Sequence, residues 1–364
     1  MKILLMGFAK IKYMPYLNFY LDNIDRKKND VHILYWNRDL CDEDLSRYEG
    51  TTLHEFRFYQ EDDAPKLSKI GAFIRYRKEA KRLLNKGGFD RVIALHTLPA
   101  VLSVGILKKK YKGRYIFDYR DHTYEDFAPF KKIVAEVVEG SLATFVSSDG
   151  FRRFLPELCA NKIYTSHNIL PDSLLHRDEK EKMGSFSEKI RISFWGFIRH
   201  FGVNKALIEK IATDKRFELH YYGREQKTAL DLKAYAAEIG ADNVYFHGEY
   251  KPEDRYEFVR STDIIHNIYD DGNMMLAMAN KYYDGAIFYL PQVCLDGSFM
   301  AQSAERAGVG IGLNVYEDGF CDRLYDYYIG IDKNNFNKNC DTELDRVMKE
   351  YLKGEEIIKN EMQR

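Results

Sequence analysis

Short apolar runs separated by amphipathic segments fill this chain, and they fall into two successive series. Strand candidates of the first series lie at 2–6, 31–36, 91–95, 114–118 and 143–147, with a further one at 163–166. Helical periodicity occupies 71–86, 98–111 and 130–141. The second series runs through 190–195, 217–222, 243–246, 263–267, 289–294 and 309–313, with helices near 203–213, 225–239, 252–261, 280–287 and 298–306. Each series opens with a strand that runs into a glycine, Gly7 or Gly196. Such alternation is the pattern of helices packed on a mostly parallel sheet, so the expected fold class is α/β with two such units in tandem. A charged stretch from Arg177 to Lys189, holding Asp178, Glu179, Lys180, Glu181 and Lys182, marks the expected boundary. The expected domains are 1–170 and 171–340, followed by a C-terminal helix over 341–364 that packs back across them.

Length and composition agree with that division. At 364 residues the chain exceeds one ordinary core, and 45% hydrophobic with 30% charged residues is the balance of a globular protein. A formal net charge of −1 supplies no global field for nucleic acid or an anionic membrane. Aromatic residues make up 14%, but they lie mainly in apolar strands and form no nucleic-acid-binding motif. Cys41, Cys159, Cys294, Cys321 and Cys340 form no CxxC pair and do not cluster with histidine, which points to a reducing compartment and away from structural zinc. The opening Met1–Phe8 reads as a strand entering a turn rather than a signal peptide, and no apolar run reaches the roughly 20 residues of a membrane span. The expected location is cytoplasmic, with any membrane association peripheral, at the inner face of the cell membrane.

The second half holds an ordered set of short motifs. Asn280-Lys281-Tyr282-Tyr283-Asp284-Gly285-Ala286 precedes Leu290-Pro291-Gln292-Val293 and then Gly308-Val309-Gly310-Ile311. The first reads as a helix with Asn280 as its cap, whose free amides beside Lys281 would seat a diphosphate. Asp284, four residues on and on the same face, is placed to meet a ribose hydroxyl. Upstream lie Ile192–Arg199, Leu219–Gly223, Asn243–Tyr250 and Ser261–Ile264. In this order the segments resemble the donor half of the GT-B glycosyltransferases of family 4, over most of 190–330. Members often carry Asn-Lys-x-(Phe/Tyr)-Glu-Ala followed by Leu/Lys-Pro-Val; here Asp284 replaces the glutamate and Gly285 the next small residue.

The resemblance implies a GT-B fold, two facing Rossmann-like domains with an inter-domain cleft, and a UDP- or GDP-linked sugar as donor. A departing nucleoside diphosphate gathers negative charge, which preorganised cations and helix ends stabilise without a metal or other cofactor. Arg199, Lys205 and Lys281 are the candidate cations, beside Gly196 and, in the first half, Gly7, whose loop would lie beside the donor phosphates; a solvated arginine and lysine on a loop and helix are the alternative. Where many members place an acidic residue on the donor sugar, this chain has Leu276. Asp270, Asp271 and Asn273, in the loop before the helix, are substitutes for that contact, or else form a polar turn. The spacing of Asp270 and Asp271 does not match a metal-binding DxD motif.

In the first half, Ala94–Pro99 places His96 at a strand end, and Ile116–His122 places Asp118, Arg120, Asp121 and His122 at the end of the next. The second segment resembles the Asp-x-Arg-Asp of bacterial capsule and lipopolysaccharide glycosyltransferases. It implies a site at which Asp118, Asp121 or His96 orients the acceptor hydroxyl, in a retaining front-face transfer where a donor phosphate oxygen helps to remove the proton. A structural Asp118–Arg120 ion pair, with Asp121 capping a helix, is the alternative. His167 and Asn168, in a turn leading to the hinge, join Arg120 and His122 as acceptor candidates. Lys10, Lys12, Tyr13 and Tyr16, after Gly7, combine with Lys108–Lys112 and Lys131-Lys132 into a basic, aromatic rim suited to a lipid-diphosphate acceptor at a membrane, although solvated helix faces explain these lysines equally. The expected activity is sugar transfer to a glycan or lipid-linked acceptor in surface polysaccharide synthesis. A non-catalytic nucleotide- or glycan-binding partner protein and a GT-B sugar-nucleotide epimerase are the alternatives.

Overall fold

A computed structural model describes residues 1–61, 65–179, 181–183 and 188–362; Lys180 of the charged stretch lies outside them. The chain divides into two compact units, one of Met1–His167 with Lys349–Arg364 and one of Asn168–Met348. Each is built on a parallel sheet.

In the first unit the strands are β1 (Lys2–Met6), β2 (Asp30–Asn37), β3 (Thr52–Arg57), β4 (Arg91–Leu95), β5 (Tyr115–Tyr119), β6 (Ala143–Val146) and β7 (Ile163–Thr165), in the order β3-β2-β1-β4-β5-β6-β7. Its helices are α1 (Leu17–Leu21), α2 (Ile70–Lys86), α3 (Thr97–Lys110) and α4 (Ala128–Gly140). Leu5 of β1 stands beside Ile33 of β2 and Ile93 of β4, and all three are buried. Central strands covered on both faces read as unbroken apolar runs, which is why these were legible. β3 was not: its Thr-Leu-His-Glu-Phe-Arg sequence suits an edge strand that needs little apolar cover.

The second unit repeats the plan. α5 (Pro171–Leu175) leads into β8 (Ile190–Trp195), α6 (Phe201–Ala212), β9 (Phe217–Tyr222), α7 (Lys227–Glu238), β10 (Val244–Phe246), α8 (Arg255–Arg260), β11 (Ile264–Asn267), α9 (Asn280–Ile287), β12 (Gln292–Leu295), α10 (Phe299–Ala307), β13 (Gly310–Leu313) and α11 (Phe320–Ile329). The sheet order is β10-β9-β8-β11-β12-β13. β12 starts three residues later than the apolar pattern suggests, because Pro291 has no amide to give a ladder and Tyr289 turns the chain at φ 52°. In both sheets the strand order reverses beside the first strand, between β1 and β4 and between β8 and β11. Open α/β sheets bind ligands at such a reversal, outside the carboxyl ends of the strands.

The last helix, α12 (Lys333–Glu361), begins eight residues before the expected one. Its final turns belong to the first unit: Ile358 and Met362 are buried in the cluster that holds Leu5, Ile33 and Phe145. Asn23 Nδ2 reaches Glu355 Oε1 at 3.4 Å, and Arg91 Nε donates to the Glu361 carbonyl. This segment is therefore core, not a tail. Replacing Ile358 by alanine should lower unfolding stability by about 2–4 kcal/mol, measurable by denaturant titration; a loss within error of zero would remove α12 from that core.

Candidate functional site

In the second unit the reversal point is bridged by a histidine. β8 ends at Trp195, Gly196 adopts φ 116° with open space where a Cβ would stand, and the loop 197–200 enters α6. Gly223, at the end of β9, lies against this turn so closely that a Cβ there would sit 2.0 Å from the Gly196 carbonyl oxygen. His200, in the left-handed region at φ 61°, places Nδ1 3.3 Å from Asp270 and Nε2 3.5 Å from Asp271, both beyond β11. Asp271 also accepts from the Met274 amide at 2.7 Å, and Asn273 accepts through its carbonyl from the amides of Leu276 and Ala277. Arg199 is exposed, its guanidinium 4.9 Å from the Phe197 ring, with no acidic partner among the described residues. Lys205 is committed elsewhere, to Glu209 at 3.8 Å and the Tyr235 ring at 4.5 Å.

A buried amide fixes that loop, and sequence reading missed it. Asn204, 3% exposed in α6, donates to the carbonyls of Arg199 (2.6 Å) and His200 (2.9 Å). Its side-chain oxygen accepts from Tyr221 Oη at 2.9 Å and lies 3.0 Å from His266 Nε2. His266 Nδ1 accepts from the Ile268 amide, so the ring is the Nε2–H tautomer, held neutral as burial drives its pKa down to about 3. An Asn four residues into a helix, facing two polar groups on apolar strands, was the available signal.

The helix expected to seat a diphosphate differs in three respects. Ala279, not Asn280, occupies the cap position and no side chain caps the helix; Asn280 is its first residue and is exposed. Lys281 is buried, its ammonium on the Trp195 carbonyl at 3.1 Å and 4.0 Å from the Phe194 ring centre, and burial lowers its pKa to about 7. Asp284 is 1% exposed and turned inward, accepting from Trp195 Nε1 at 3.0 Å and Ser173 Oγ at 3.2 Å, with Arg255 at 4.0 Å; a ribose hydroxyl does not reach it in this placement. Burial raises the Asp284 pKa, with Arg255 opposing. Gly285 is explained by Gln292, whose side-chain amide lies 2.2 Å from where a Cβ would stand and donates to the Tyr282 carbonyl.

In the first unit the reversal point lies between Gly7, after β1, and His96, after β4. Gly7 accommodates its own chain, since a Cβ would meet Met14 at 2.5 Å, and its carbonyl accepts from Tyr76 Oη at 2.7 Å. His96 takes φ 82°, a conformation costly for a side chain with a Cβ and one found at functional positions. Its Nε2 lies 2.7 Å from Asp121 Oδ2, and Asp121 is 44% exposed at the side chain. Asp121 therefore pairs with a histidine rather than capping α4, whose cap position is Phe127. Asp118 is completely buried and accepts from Arg120 Nε at 2.8 Å; Arg120 also donates to Ser166 Oγ and stands 4.3 Å over the Tyr16 ring. Asp118 and Arg120 are thus a structural pair, unavailable to an acceptor. His122 stacks on Phe154 and lies 3.2 Å from Asp126. His167 is buried against Glu350 at 2.7 Å, and Asn168 belongs to the second unit, donating to the Met278 carbonyl at 3.0 Å.

The expected basic rim is largely dispersed. Lys10 is buried on Asp39 at 2.7 Å, Lys108 pairs with Glu136 at 2.9 Å, and Lys110 donates to the carbonyls of Leu84 and Asn85. Lys12, Tyr13, Lys131 and Lys132 remain exposed. Each cysteine is unpaired, and among the described residues no group of three or more histidine, cysteine or acidic side chains is arranged to hold a metal.

The whole chain superimposes on solved GT-B structures, and it has that fold. It is similar to a glycosyltransferase from Rickettsia africae (14% identity, TM-score 0.65, covering 100% of this chain and 99% of that one). It is also similar to the lipopolysaccharide outer core galactosyltransferase WaaB (13%, 0.65, 98% and 99%) and to Anabaena HepE, solved with UDP and glucose (11%, 0.64, 100% and 99%). No protein-family model and no curated protein sequence matches the chain.

Two measurements probe the second unit. Asn204→Ala leaves two loop carbonyls, Tyr221 Oη and His266 without this partner, so stability should fall by about 1–3 kcal/mol, and proteolysis of the 197–200 loop should quicken; unchanged values would place the loop's anchor elsewhere. Lys281 has a folded pKa near 7 against about 10.4 unfolded, so the unfolded chain holds the extra proton between those values. Its contribution to stability therefore rises with pH across that window, and the cost of burial is complete below pH 7. Lys281→Met should raise the melting midpoint at pH 6, with the gain shrinking toward pH 10; a pH-independent difference would contradict the buried, depressed ammonium.

Proposed function

We propose that the chain is a glycosyltransferase that takes its sugar from a UDP- or GDP-linked donor and passes it to a glycan or lipid-linked acceptor in the building of a surface polysaccharide. The observation that carries this reading is Arg199, whose exposed guanidinium has no acidic partner among the described residues and whose carbonyl is held at the strand-order reversal by the Asn204 amide, next to the first amides of α6. An open arginine beside a helix start suits a diphosphate, whose charge grows as the anomeric bond breaks. In this reading protein cations, not a metal, stabilise the leaving group, and transfer retains the anomeric configuration. Anabaena HepE, solved also with UDP-glucose, and the lipopolysaccharide galactosyltransferase WaaB support a nucleotide-sugar donor and a surface-glycan acceptor.

Asp121 takes the acceptor role in the first unit. Its side chain is half-exposed, and His96, 2.7 Å from Oδ2, fixes the carboxylate's orientation for a hydroxyl. The same His96–Asp121 couple favours a second reading, acid–base epimerisation of a sugar nucleotide, and a putative UDP-N-acetylglucosamine 2-epimerase from Listeria monocytogenes shares the fold (11% identity, TM-score 0.57).

A thermal-shift panel of UDP, GDP, CMP and ADP with their sugar conjugates tests the donor, since binding to the folded state alone raises the midpoint. One nucleotide family should shift it, and Arg199→Ala should weaken that binding about tenfold or more. Product assay then separates the readings: free nucleoside diphosphate marks transfer or hydrolysis, an epimer marks the second reading, and binding without turnover marks a non-catalytic partner. Asp121→Asn should cut transfer about a hundredfold while leaving donor affinity intact; full activity would move the acceptor site.

A further inference from the structure

Each sheet ties an edge strand to the next strand inward through a pair of histidines. In the first unit His32 of β2 and His54 of the edge strand β3 approach with Nδ1 2.8 Å from Nε2, their ring planes 11° apart. In the second unit His220 of β9 and His247, one residue beyond the edge strand β10, do the same at 3.0 Å and 6°. The surroundings repeat as well. Two positions before each inner histidine, on the same side of its strand, stands an acid: Asp30 at 3.1 Å from His32 Nε2 and Glu218 at 3.5 Å from His220 Nε2. A carboxylate there favours the proton on Nε2, so Nδ1 of the inner ring is the acceptor and the edge ring donates from its Nε2. His32 accordingly holds the Asp30 carboxyl below the usual carboxylate range.

We propose that the two pairs are acid-released latches, each fastening an edge strand to its neighbour for as long as the inner ring keeps a lone pair for the outer one. One added proton sits on the free Nδ1 of the edge ring and leaves the bond made. A second sets N–H against N–H across a gap of 2.8 or 3.0 Å, and the rings must part. Facing the first pair are Arg82 and Glu79 of α2, bound to each other, and Lys2 of β1, 3.6 Å from Asp30. Facing the second are Arg191 of β8 and Lys189, 3.5 and 3.2 Å from Glu218, with the rings of Tyr222 and Tyr245 stacked on it. Burial lowers the pKa of His54, His220 and His247, so the unfolded chain takes up protons first as pH falls below about 6.5. The contribution of the latches is therefore complete above that pH and is lost as pH falls toward the folded values. The second latch adjoins the candidate donor loop. The His247 amide donates to the Tyr221 carbonyl at 2.9 Å, and the carbonyl of the next residue, Gly248, accepts from Gly223, which packs on the Gly196 turn. Acid release loosens the seat of Arg199, a consequence that rests on the glycosyltransferase reading; the latch itself does not.

The test is amide hydrogen exchange of the full chain at pH 7.5 and pH 5.0, read by mass spectrometry and corrected for the intrinsic rate at each pH. The edge segments 52–58 and 244–249 should lose protection at least about tenfold at pH 5.0, while the central strands β1 and β8 keep theirs. A His54→Gln/His247→Gln double variant puts a non-titrating N–H donor in place of each edge imidazole. It should keep the protection seen at pH 7.5 and lose the response to acid. Equal edge protection of the unaltered chain at both pH values overturns the proposal without any variant. So does an acid response that the double variant shows in full, or one spread evenly over all strands. Stabilisation by zinc at pH 7.5 that the double variant lacks would make the pairs metal ligands instead. Nucleotide thermal shifts at the same two pH values keep the two proposals apart: no shift at either removes the donor site and leaves the latches standing, whereas a shift equal at both, with the edges released, removes only their tie to Arg199.

Discussion

The Asn204 side chain is the hinge pin of the second unit. Its four contacts join the loop after β8 to β9 through Tyr221 and to β11 through His266, so three neighbouring parts of the sheet meet at one buried amide. A buried amide in low dielectric gains from complete satisfaction and is costly when partly satisfied, so this network defines one loop conformation and penalises the rest. The exposed Arg199 inherits that order through its own carbonyl. A side chain left in solvent normally spends its rotamer freedom on binding, and a fixed backbone beneath it lowers that cost.

Both units bury charge directly under their strand ends, and in both the charge is structural. Asp118 with Arg120 and Asp284 with Arg255 are carboxylates removed from water beside a guanidinium, and Asp284 also accepts from Trp195 and Ser173. Removing one partner of such a pair leaves an uncompensated ion in a low dielectric, which is far costlier than the pair itself is stabilising. Lys281 is a different case, a cation whose compensation is a carbonyl and aromatic faces rather than a close carboxylate. Its ammonium sits behind Trp195, at the foot of the Gly196 turn, where its charge affects the potential at Arg199 without touching a ligand.

The sequence made the architecture legible because fully buried parallel strands are almost uninterrupted apolar runs, and Leu5, Ile33, Ile93 and Ile192 announce themselves. The edge strand β3 escaped notice since half of its residues face water, and α12 was entered late because its first turns are polar. Motif reading picked out Gly196 and Arg199, after β8, and His96, after β4, which stand at the reversal points, and Asp121, which pairs with His96. It did not give side-chain direction. Asp284 lies on the helix face that meets Trp195 and Ser173, and no pattern in the local sequence encodes that Ser173, more than a hundred residues earlier, supplies its hydrogen bond. Nor could spacing reveal that Lys10 turns back onto Asp39.

A division of labour follows from burial. Conserving a loop's shape requires groups that cannot reach solvent, since only there is an unmade hydrogen bond expensive enough to exclude alternatives. Acting on a ligand requires the reverse, a group with unsatisfied capacity at the surface. Sorted in this way, Asn204, His266, Asp118, Arg120 and Asp284 hold positions, whereas the side chains of Arg199 and Asp121 reach solvent. His200 stands between the two classes, since its ring ties the β8 loop to Asp270 and Asp271 at distances above 3.2 Å, near enough to align the two loops yet loose enough to yield to a ligand. The strand-order reversal of the second unit thus presents the exposed Arg199 side chain over a backbone fixed from beneath.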